Sequence, residues 1–326
     1  MHDGNPTMYL AHFGLREQPF SLTPDTSFFF ACTGYQEALN TLLVAARSGE
    51  GFIKIVGEVG NGKTMLCRKF LATLNEGNLV STNDIGTQDE SIAGGRSKGK
   101  FVTAYIPNPY LEPRSLLLAL AGEFRIELDP HVDQHLLLKG LTLALLNFAR
   151  DGKRVLVCLD EAQAMPLESL EVLRLITNLE TEKRKLLQVV LFGQPELDER
   201  LKQDSVRQLR QRISFQYQLR GLRRDETDRY LRHRMRVAGF AGETLFSRSA
   251  VWRMHRVTGG TPRLVNIIAH KALMLAYGEG RQRVLDSHVR RAAADTPEAR
   301  SDWLRWLWWV AGVALLAGAI AGMQLR

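Results

Sequence analysis

Eight consecutive residues, GEVGNGKT from Gly57 to Thr64, have the types and the spacing of a phosphate-binding loop. Glycines let the backbone wrap closely around an anion, so that successive N–H groups point at phosphate oxygens. The Lys63 ammonium can reach the β- and γ-phosphates, and the Thr64 hydroxyl can bind Mg²⁺. The alternative is a glycine-rich turn that binds nothing, so the flanking elements must decide between the two interpretations.

The residues on either side of this loop predict the strand–loop–helix order that such a site requires. Residues 52–56 (FIKIV) predict a short buried strand, and residues 64–74 (TMLCRKFLATL) predict a helix. The helix would add the positive end of its dipole to the phosphate site. The predicted nucleotide-binding residues are Gly57, Glu58, Val59, Gly60, Asn61, Gly62, Lys63, Thr64 and Met65.

A pair of carboxylates follows a second apolar run. Residues 154–159 (RVLVCL) predict a buried strand that ends in Asp160 and Glu161. A carboxylate pair at the tip of a buried strand is the expected partner of a phosphate loop. Asp160 would hold Mg²⁺ through water, and Glu161 would polarise the attacking water. The alternative is an acidic pair that begins a helix, because Asp and Glu favour helix N-termini.

Three further apolar runs predict strands and complete a sheet. They are residues 101–106 (FVTAYI), 186–192 (LLQVVLF) and 213–219 (ISFQYQL), the last with strict alternation of apolar and polar positions. Gln194 follows the second of these runs, at a position from which a polar side chain could orient the lytic water. Five strands with helices between most of them predict an α/β fold with a parallel sheet.

The pattern becomes helical after residue 220, which predicts a second, smaller domain. Helices are predicted at residues 225–238, 247–257, 262–277 and 285–294. The predicted organisation is an N-terminal segment (1–50) that packs on the nucleotide-binding domain (51–220, with a polar insertion at about 76–100), the helical domain (221–295) and a linker (296–305).

The composition narrows the class of protein without choosing a partner. The chain has 326 residues and a formal net charge of +8, which suits nucleic acid, an anionic membrane surface or nucleotide phosphates. Its cysteines, Cys32, Cys67 and Cys158, form no CxxC or Cys/His cluster, so neither a disulfide framework nor a zinc site is indicated. They are predicted to be buried thiols.

Residues 306–323 (WLWWVAGVALLAGAIAGM) form an uninterrupted apolar run near the length that a helix needs to cross a bilayer. Tryptophans crowd its first turns, as in an aromatic interface belt, and arginines precede it. The alternative is a hydrophobic helix packed in a core. The run predicts one C-terminal transmembrane helix, with the bulk of the chain on the cytoplasmic side.

The motifs FGLREQPF, GEVGNGKT, LDEAQ, FGQPELDERL, RQLRQRI and TGGTPRLVN together resemble the ExeA/general-secretion-protein-A type of AAA+ ATPase, and within it the biogenesis ATPases of mannose-sensitive haemagglutinin type IV pili. The resemblance covers roughly residues 8–295. It implies an AAA+ nucleotide-binding domain with a helical lid, ATP and Mg²⁺ as ligands, and a homo-oligomer with its sites between subunits.

The resemblance also implies roles for individual residues. The loop and the acidic pair match the Walker A and Walker B motifs, and Gln194 matches the first sensor, where Asn or Thr is common across AAA+ proteins. Arg263 would be the second sensor, and Arg212 or Arg210 the arginine finger that completes a neighbouring subunit's site. The alternative for these arginines is a solvated basic face.

The predicted function is that of an ATPase anchored in the bacterial inner membrane, which supports assembly of a type IV pilus or a type II secretion-like machine. Its expected partners are the pilus or secretion assembly proteins. The alternative is a DNA-associated AAA+ ATPase of the transposition-helper or initiator type, which the net charge and basic lid favour. The predicted membrane helix argues against that alternative, so no nucleic-acid partner is expected. A nucleotide-bound scaffold without hydrolysis is disfavoured by the intact Asp160–Glu161 pair.

Overall fold

The computed structural model describes residues 8–23, 25–75, 101–181 and 184–300. The chain divides into two compact units. The sheet unit runs from Ala31 to Arg220, and the helical unit combines the described residues up to Phe30 with those from Gly221 onward.

Secondary-structure elements are numbered along the described chain. The strands are β1 (Phe52–Gly57), β2 (Phe101–Ile106), β3 (Arg154–Leu159), β4 (Glu180–Thr181), β5 (Arg184–Lys185), β6 (Leu187–Gly193) and β7 (Ile213–Leu219). The helices are α1 (Met8–Phe13), α2 (Thr33–Ser48), α3 (Lys63–Asn75), α4 (Pro113–Glu123), α5 (Gln134–Arg150), α6 (Leu167–Thr177), α7 (Glu196–Leu201), α8 (Arg207–Arg210), α9 (Arg224–Val237), α10 (Arg248–Thr258), α11 (Pro262–Gly278) and α12 (Asp286–Ala294).

The sheet unit is built on a five-stranded parallel sheet in the order β2-β3-β6-β1-β7. The inner strands β3, β6 and β1 are mostly apolar and almost entirely buried, as expected for strands covered on both faces, with Lys54 and Gln188 as polar residues inside β1 and β6. Leu159 pairs with Leu191 and Ile55 with Phe192, so these three strands end at the same edge of the sheet. The predicted parallel α/β fold and its five strands are confirmed.

The helices of the sheet unit include three that the sequence analysis did not predict, α6, α7 and α8. The predicted helices are found with bounds that differ by at most two residues. Helix α6 was missed, although Leu170, Leu173 and Ile176 have helical spacing and are fully buried. The three cysteines are buried free thiols, as predicted.

The helical unit holds the N-terminal segment through a buried arginine. The Arg234 guanidinium of α9 donates hydrogen bonds to the carbonyls of Pro19 and Ser21 and lies 4.5 Å from the Phe28 ring centroid. The Tyr9 ring of α1 packs edge-on against His270 of α11. The sequence analysis assigned residues 1–50 to a segment packed on the nucleotide-binding domain. The structure groups the described residues up to Phe30 with the helical unit instead, and α2 with the sheet unit.

The transmembrane helix of the predicted fold class requires a correction. The segment predicted to form it, 306–323, lies outside the described residues. Among the residues that are described, no helix is long and apolar enough to cross a membrane. The longest of them, α5 and α11, have 17 residues each and carry charged side chains, whereas a span needs about 20 apolar residues. The described residues therefore form an α/β sheet unit and a helical unit, and the predicted helix is not among their elements. The predicted inner-membrane localisation with a cytoplasmic ATPase domain depended on the helix and is corrected with it.

Candidate nucleotide site

The loop between β1 and α3 has a backbone that requires glycine. Gly60 and Gly62 have φ angles of +81° and +80°, in the left-handed region that favours glycine. A Cβ on Gly62 would overlap the Tyr35 hydroxyl, and a Cβ on Gly57 would lie 2.8 Å from the Leu219 carbonyl oxygen. Close packing against Tyr35 and Leu219 therefore leaves no room for side chains at these two positions of the loop.

Asn61 fastens this loop to its surroundings. The Asn61 side-chain Nδ2 donates a hydrogen bond to the Leu219 carbonyl at 3.1 Å. The backbone carbonyl of Asn61 accepts a hydrogen bond from the Tyr35 hydroxyl. Asn61 is buried, whereas the neighbouring Glu58 and Val59 side chains are exposed and Met65 is half-buried at the start of α3. Among the predicted nucleotide-binding residues, Asn61 therefore has a structural role, because its hydrogen bonds hold the conformation of the loop.

Lys63 is folded back onto the loop. Its ammonium donates to the carbonyl oxygens of Gly57 at 2.8 Å and Glu58 at 3.2 Å, and the residue is only 4% exposed. Burial lowers the pKa of the Lys63 ammonium, and the negative charges of Glu161 and Asp160 oppose that shift. These neutral carbonyls are partners that phosphate oxygens can replace at a gain in charge interaction.

Asp160 and Thr64 meet where β3 ends beside the loop. The Thr64 hydroxyl donates to Asp160 Oδ2 at 2.6 Å, the Tyr105 hydroxyl donates to the same oxygen at 3.3 Å, and the Glu161 backbone N–H donates to Oδ1 at 3.1 Å. Burial raises the pKa of the Asp160 carboxyl, while the Thr64 and Glu161 hydrogen bonds lower it. A hydroxyl and a carboxylate are hard oxygen donors, and their contact makes a set that fits Mg²⁺.

Glu161 lies in an unusual backbone conformation and is held by two amides. Its φ and ψ of 54° and 39° are left-handed, which is uncommon for a residue with a side chain and costs energy. Its Oε2 accepts hydrogen bonds from Gln194 Nε2 at 2.9 Å and from Gln163 Nε2 at 2.6 Å. The structure therefore brings Gln194 to Glu161, across the pairing of β3 with β6.

The predicted arginines are not part of this cluster in the sheet unit. Arg210 is exposed at the end of α8, and Arg212 is half-buried just before β7, where it and, more strongly, Lys185 lower the pKa of Glu180. Arg263 is exposed in the first turn of α11, in the helical unit. The sensor and finger roles of these arginines stay predictions.

Three residues of the site were missed by the sequence analysis. Tyr105 comes from β2, and only the strand order shows that it lies next to Asp160. Tyr35 reaches the loop from α2, without any local signal. Gln163 had a signal, because it follows Glu161 by two residues in the DEAQ motif.

Comparison with known proteins agrees with this geometry. A family model described as an AAA domain matches residues 46–201, which include the loop, the acidic pair and Gln194. The General secretion pathway protein A of Aeromonas hydrophila is 38% identical over 314 residues, which are 96% of this chain and 52% of that protein. The chain thus spans about half the length of this relative. The resemblance to the general-secretion-protein-A type is confirmed, and the narrower resemblance to the pilus biogenesis ATPases stays a prediction.

Solved structures share the fold at low sequence identity. Cdc6p from Pyrobaculum aerophilum has a TM-score of 0.62 and 16% identity, covering 85% of this chain and 70% of that one. The Drosophila ORC bound to DNA has a TM-score of 0.58 and 17% identity, covering 90% and 67%. At such identities the likeness shows the fold alone. The AAA-domain match and the relative support ATP hydrolase activity, and the chain is similar over nearly all of its length to about half of General secretion pathway protein A.

Proposed function

We propose that this chain binds ATP with Mg²⁺ at sites between its own copies and hydrolyses it to support assembly of a secretion or pilus machine. The observation that carries the proposal is one cluster at the carboxyl edge of the sheet. Thr64, Asp160, Glu161 and Gln194 are joined there by hydrogen bonds of 2.6 to 3.1 Å.

Binding follows from the loop. Its backbone N–H groups and the N-terminus of α3 would hold the phosphates, and Lys63 would exchange the Gly57 and Glu58 carbonyls for β- and γ-phosphate oxygens. Thr64 and Asp160 would hold Mg²⁺, whose charge neutralises that of the phosphates when it is bound.

Hydrolysis requires a water held in line with the γ-phosphate. Both amides bind Glu161 on Oε2, which leaves Oε1 as the carboxylate oxygen to accept a hydrogen bond from that water. Gln194 would fix the direction of the carboxylate. This division lets Glu161 polarise water, while Asp160, already bound by Thr64, serves the metal.

A neighbouring copy would complete the site. The arginine finger is Arg212 or Arg210, and Arg263 would respond to the γ-phosphate from the helical unit. An arginine at the γ-phosphate stabilises the charge that develops in the transition state.

The first test is the variant Glu161→Gln in the full chain. We expect ATP binding to be retained while turnover falls by about 10²–10⁴-fold, the usual contribution of a general base. Glu168→Gln, at an exposed carboxylate in the first turn of α6, is the matched control and should turn over normally. Unchanged turnover in Glu161→Gln would remove Glu161 from its proposed role.

The assembly role rests on the name of the relative and, for a pilus, on the narrower motif resemblance. Affinity capture of the full chain with ADP or a slowly hydrolysed ATP analogue, followed by mass spectrometry, tests it. Nucleotide-dependent recovery of pilus or secretion assembly proteins would support the proposal. Recovery of DNA-processing proteins in their place would contradict it.

The contacts of the basic helix α9 weaken the argument for the DNA-associated alternative. Arg229 pairs with Asp225 at 2.7 Å and Arg232 with Asp228 at 2.9 Å, and Arg234 is buried on backbone carbonyls. Two arginines of this helix are therefore paired with acidic side chains, and a third is buried away from any phosphate. DNA binding that ATP switches on and salt weakens would restore this alternative.

A further inference from the structure

The side-chain amide of Gln163 connects the two catalytic segments of the candidate site. Its Nε2 donates to Glu161 Oε2 at 2.6 Å, and its Oε1 accepts the backbone N–H of Gln194 at 3.0 Å. The Gln194 side chain donates to the same Glu161 oxygen at 2.9 Å. Three hydrogen bonds thus close a ring between the end of β3 and the end of β6.

The backbone around Gln163 is fixed by buried neighbours. Gln163 is the middle residue of the short 3₁₀ turn Ala162–Ala164, and both Ala162 and Met165 are fully buried. The Met165 carbonyl accepts a hydrogen bond from Arg200 of α7 at 2.5 Å. Gln163 itself is half-buried, so its backbone is anchored while its amide faces the site.

The far end of the ring depends on a glycine. A Cβ on Gly193 would lie 2.6 Å from a methyl of Leu197 and 3.4 Å from Gln163 Oε1. The missing side chain lets Gln194 approach closely enough for its N–H to reach the amide oxygen of Gln163. The ring is therefore closed by packing on both strands.

We infer that Gln163 is a positioning residue for ATP hydrolysis, acting through Glu161 and Gln194. A primary amide offers a donor and an acceptor on one planar group, which is what a carboxylate oxygen and a backbone N–H require. The amide holds Glu161 Oε2 away from water and keeps the Gln194 backbone in register with it, so that Oε1 faces the nucleophile. This inference rests on the proposed ATPase function.

The chemistry of the site predicts how substitutions at position 163 behave. Gln163→Ala removes both hydrogen bonds, and Gln163→Glu keeps the shape but replaces the donor with an oxygen that repels Glu161. We expect kcat to fall by about 10–100-fold in both, the range known for groups that orient the ligands of a metal by hydrogen bonds. The KM for ATP and the Kd of a fluorescent ATP analogue should stay within about threefold, because neither hydrogen bond reaches the phosphate loop.

A double-variant comparison separates positioning from general support of the fold. If Gln163 acts through Glu161, then adding Gln163→Ala to Glu161→Gln should lower single-turnover hydrolysis no further. Gln216→Ala, at an exposed position of β7, is the matched control and should behave like the unmodified chain. If Gln163→Ala fails to fold in a thermal melt, Gln163→Glu answers the question, since its side chain has the same shape.

Several outcomes would overturn the inference. One is turnover within twofold of the unmodified chain in both position-163 variants. Another is a loss of ATP affinity as large as the loss of kcat, and a third is a further fall of equal size in the Glu161→Gln background. Failure of the proposed function looks different, because Glu161→Gln would then turn over ATP as the unmodified chain does.

Discussion

The sheet unit and the helical unit both bury charged side chains, but they give them different partners. In the sheet unit, Lys63 and Asp160 lie at the end of a loop and of a strand, on carbonyl and hydroxyl groups that a ligand can replace. In the helical unit, the buried Arg234 guanidinium is bound to backbone carbonyls of the fold itself. The buried charges of the sheet unit therefore indicate a binding site, whereas the buried arginine of the helical unit stabilises the fold.

Two further buried polar side chains of the helical unit also bind groups of the fold. Glu226 accepts the backbone N–H of Arg223 at 2.9 Å and so caps the beginning of α9. The fully buried His288 accepts the Leu285 N–H on Nδ1 at 3.0 Å, and its Nε2 lies 2.9 Å from the Glu279 carboxylate. Each of these groups satisfies a helix end or a loop, which is how a buried polar group becomes stabilising. The contrast predicts that charge substitutions cost activity in one unit and stability in the other.

The largest effect is expected for Lys63→Ala in the sheet unit. ATP turnover should fall by about 10²–10³-fold, as for loss of one donor to the developing charge. The free energy of unfolding without nucleotide should change by less than about 1 kcal/mol, because the hydrogen bonds of the ammonium to two carbonyls and its attraction to nearby carboxylates are offset by its lost hydration. Turnover assays and urea unfolding measure the two quantities. Lys202→Ala, at an exposed pair with Glu199, is the control and should change neither.

The opposite pattern is expected for Arg234→Met in the helical unit. The substitution leaves the Pro19 and Ser21 carbonyls without their donor, and each buried carbonyl left so costs about 1–3 kcal/mol. We therefore expect urea unfolding to show a loss of roughly 2–5 kcal/mol.

Arg229→Ala is the matched control on the same helix. Arg229 forms an exposed pair with Asp225, and such pairs contribute little to stability because water and salt screen them. If Arg229→Ala destabilised the protein as much as Arg234→Met, or if Lys63→Ala did, the contrast between the two units would be wrong.

The smallest effect concerns pH and again distinguishes the units. Burial lowers the pKa values of His233, His255 and His270, all in the helical unit. A histidine whose folded-state pKa lies below its unfolded value of about 6.5 binds more protons when unfolded, so stability is lost as the pH falls through and below that value. Helices α9, α10 and α11 should therefore lose hydrogen-exchange protection between pH 7.5 and 5.5, after correction for intrinsic rates.

A variant tests the cause of that acid sensitivity. His270→Gln keeps a polar side chain opposite the Tyr9 hydroxyl but cannot take up a proton. Its protection in α11 should depend less on pH than that of the unmodified chain. An equal dependence in both proteins would assign the effect to groups other than His270.

Much of the sheet unit could be predicted because its signals are local. The apolar runs that became β1, β3 and β6 are short and rich in β-branched residues, which favours buried strands, and the positive φ angles of Gly60 and Gly62 favour glycine in the loop. The N-terminal segment could not be assigned in the same way. Its membership of the helical unit depends on the contact of Arg234 with Pro19, residues 215 positions apart.

The sequence by itself determined the chemistry of the loop and of the acidic pair, because these depend on residue types within a few positions of one another. Only the tertiary structure decided that Gln163 and Gln194 share one oxygen of Glu161 and that Tyr105 binds Asp160. The physical reason is the strand order. Placing β6 between β3 and β1 and β2 beside β3 depends on pairing between distant segments, and no local pattern of residues records which strands become neighbours.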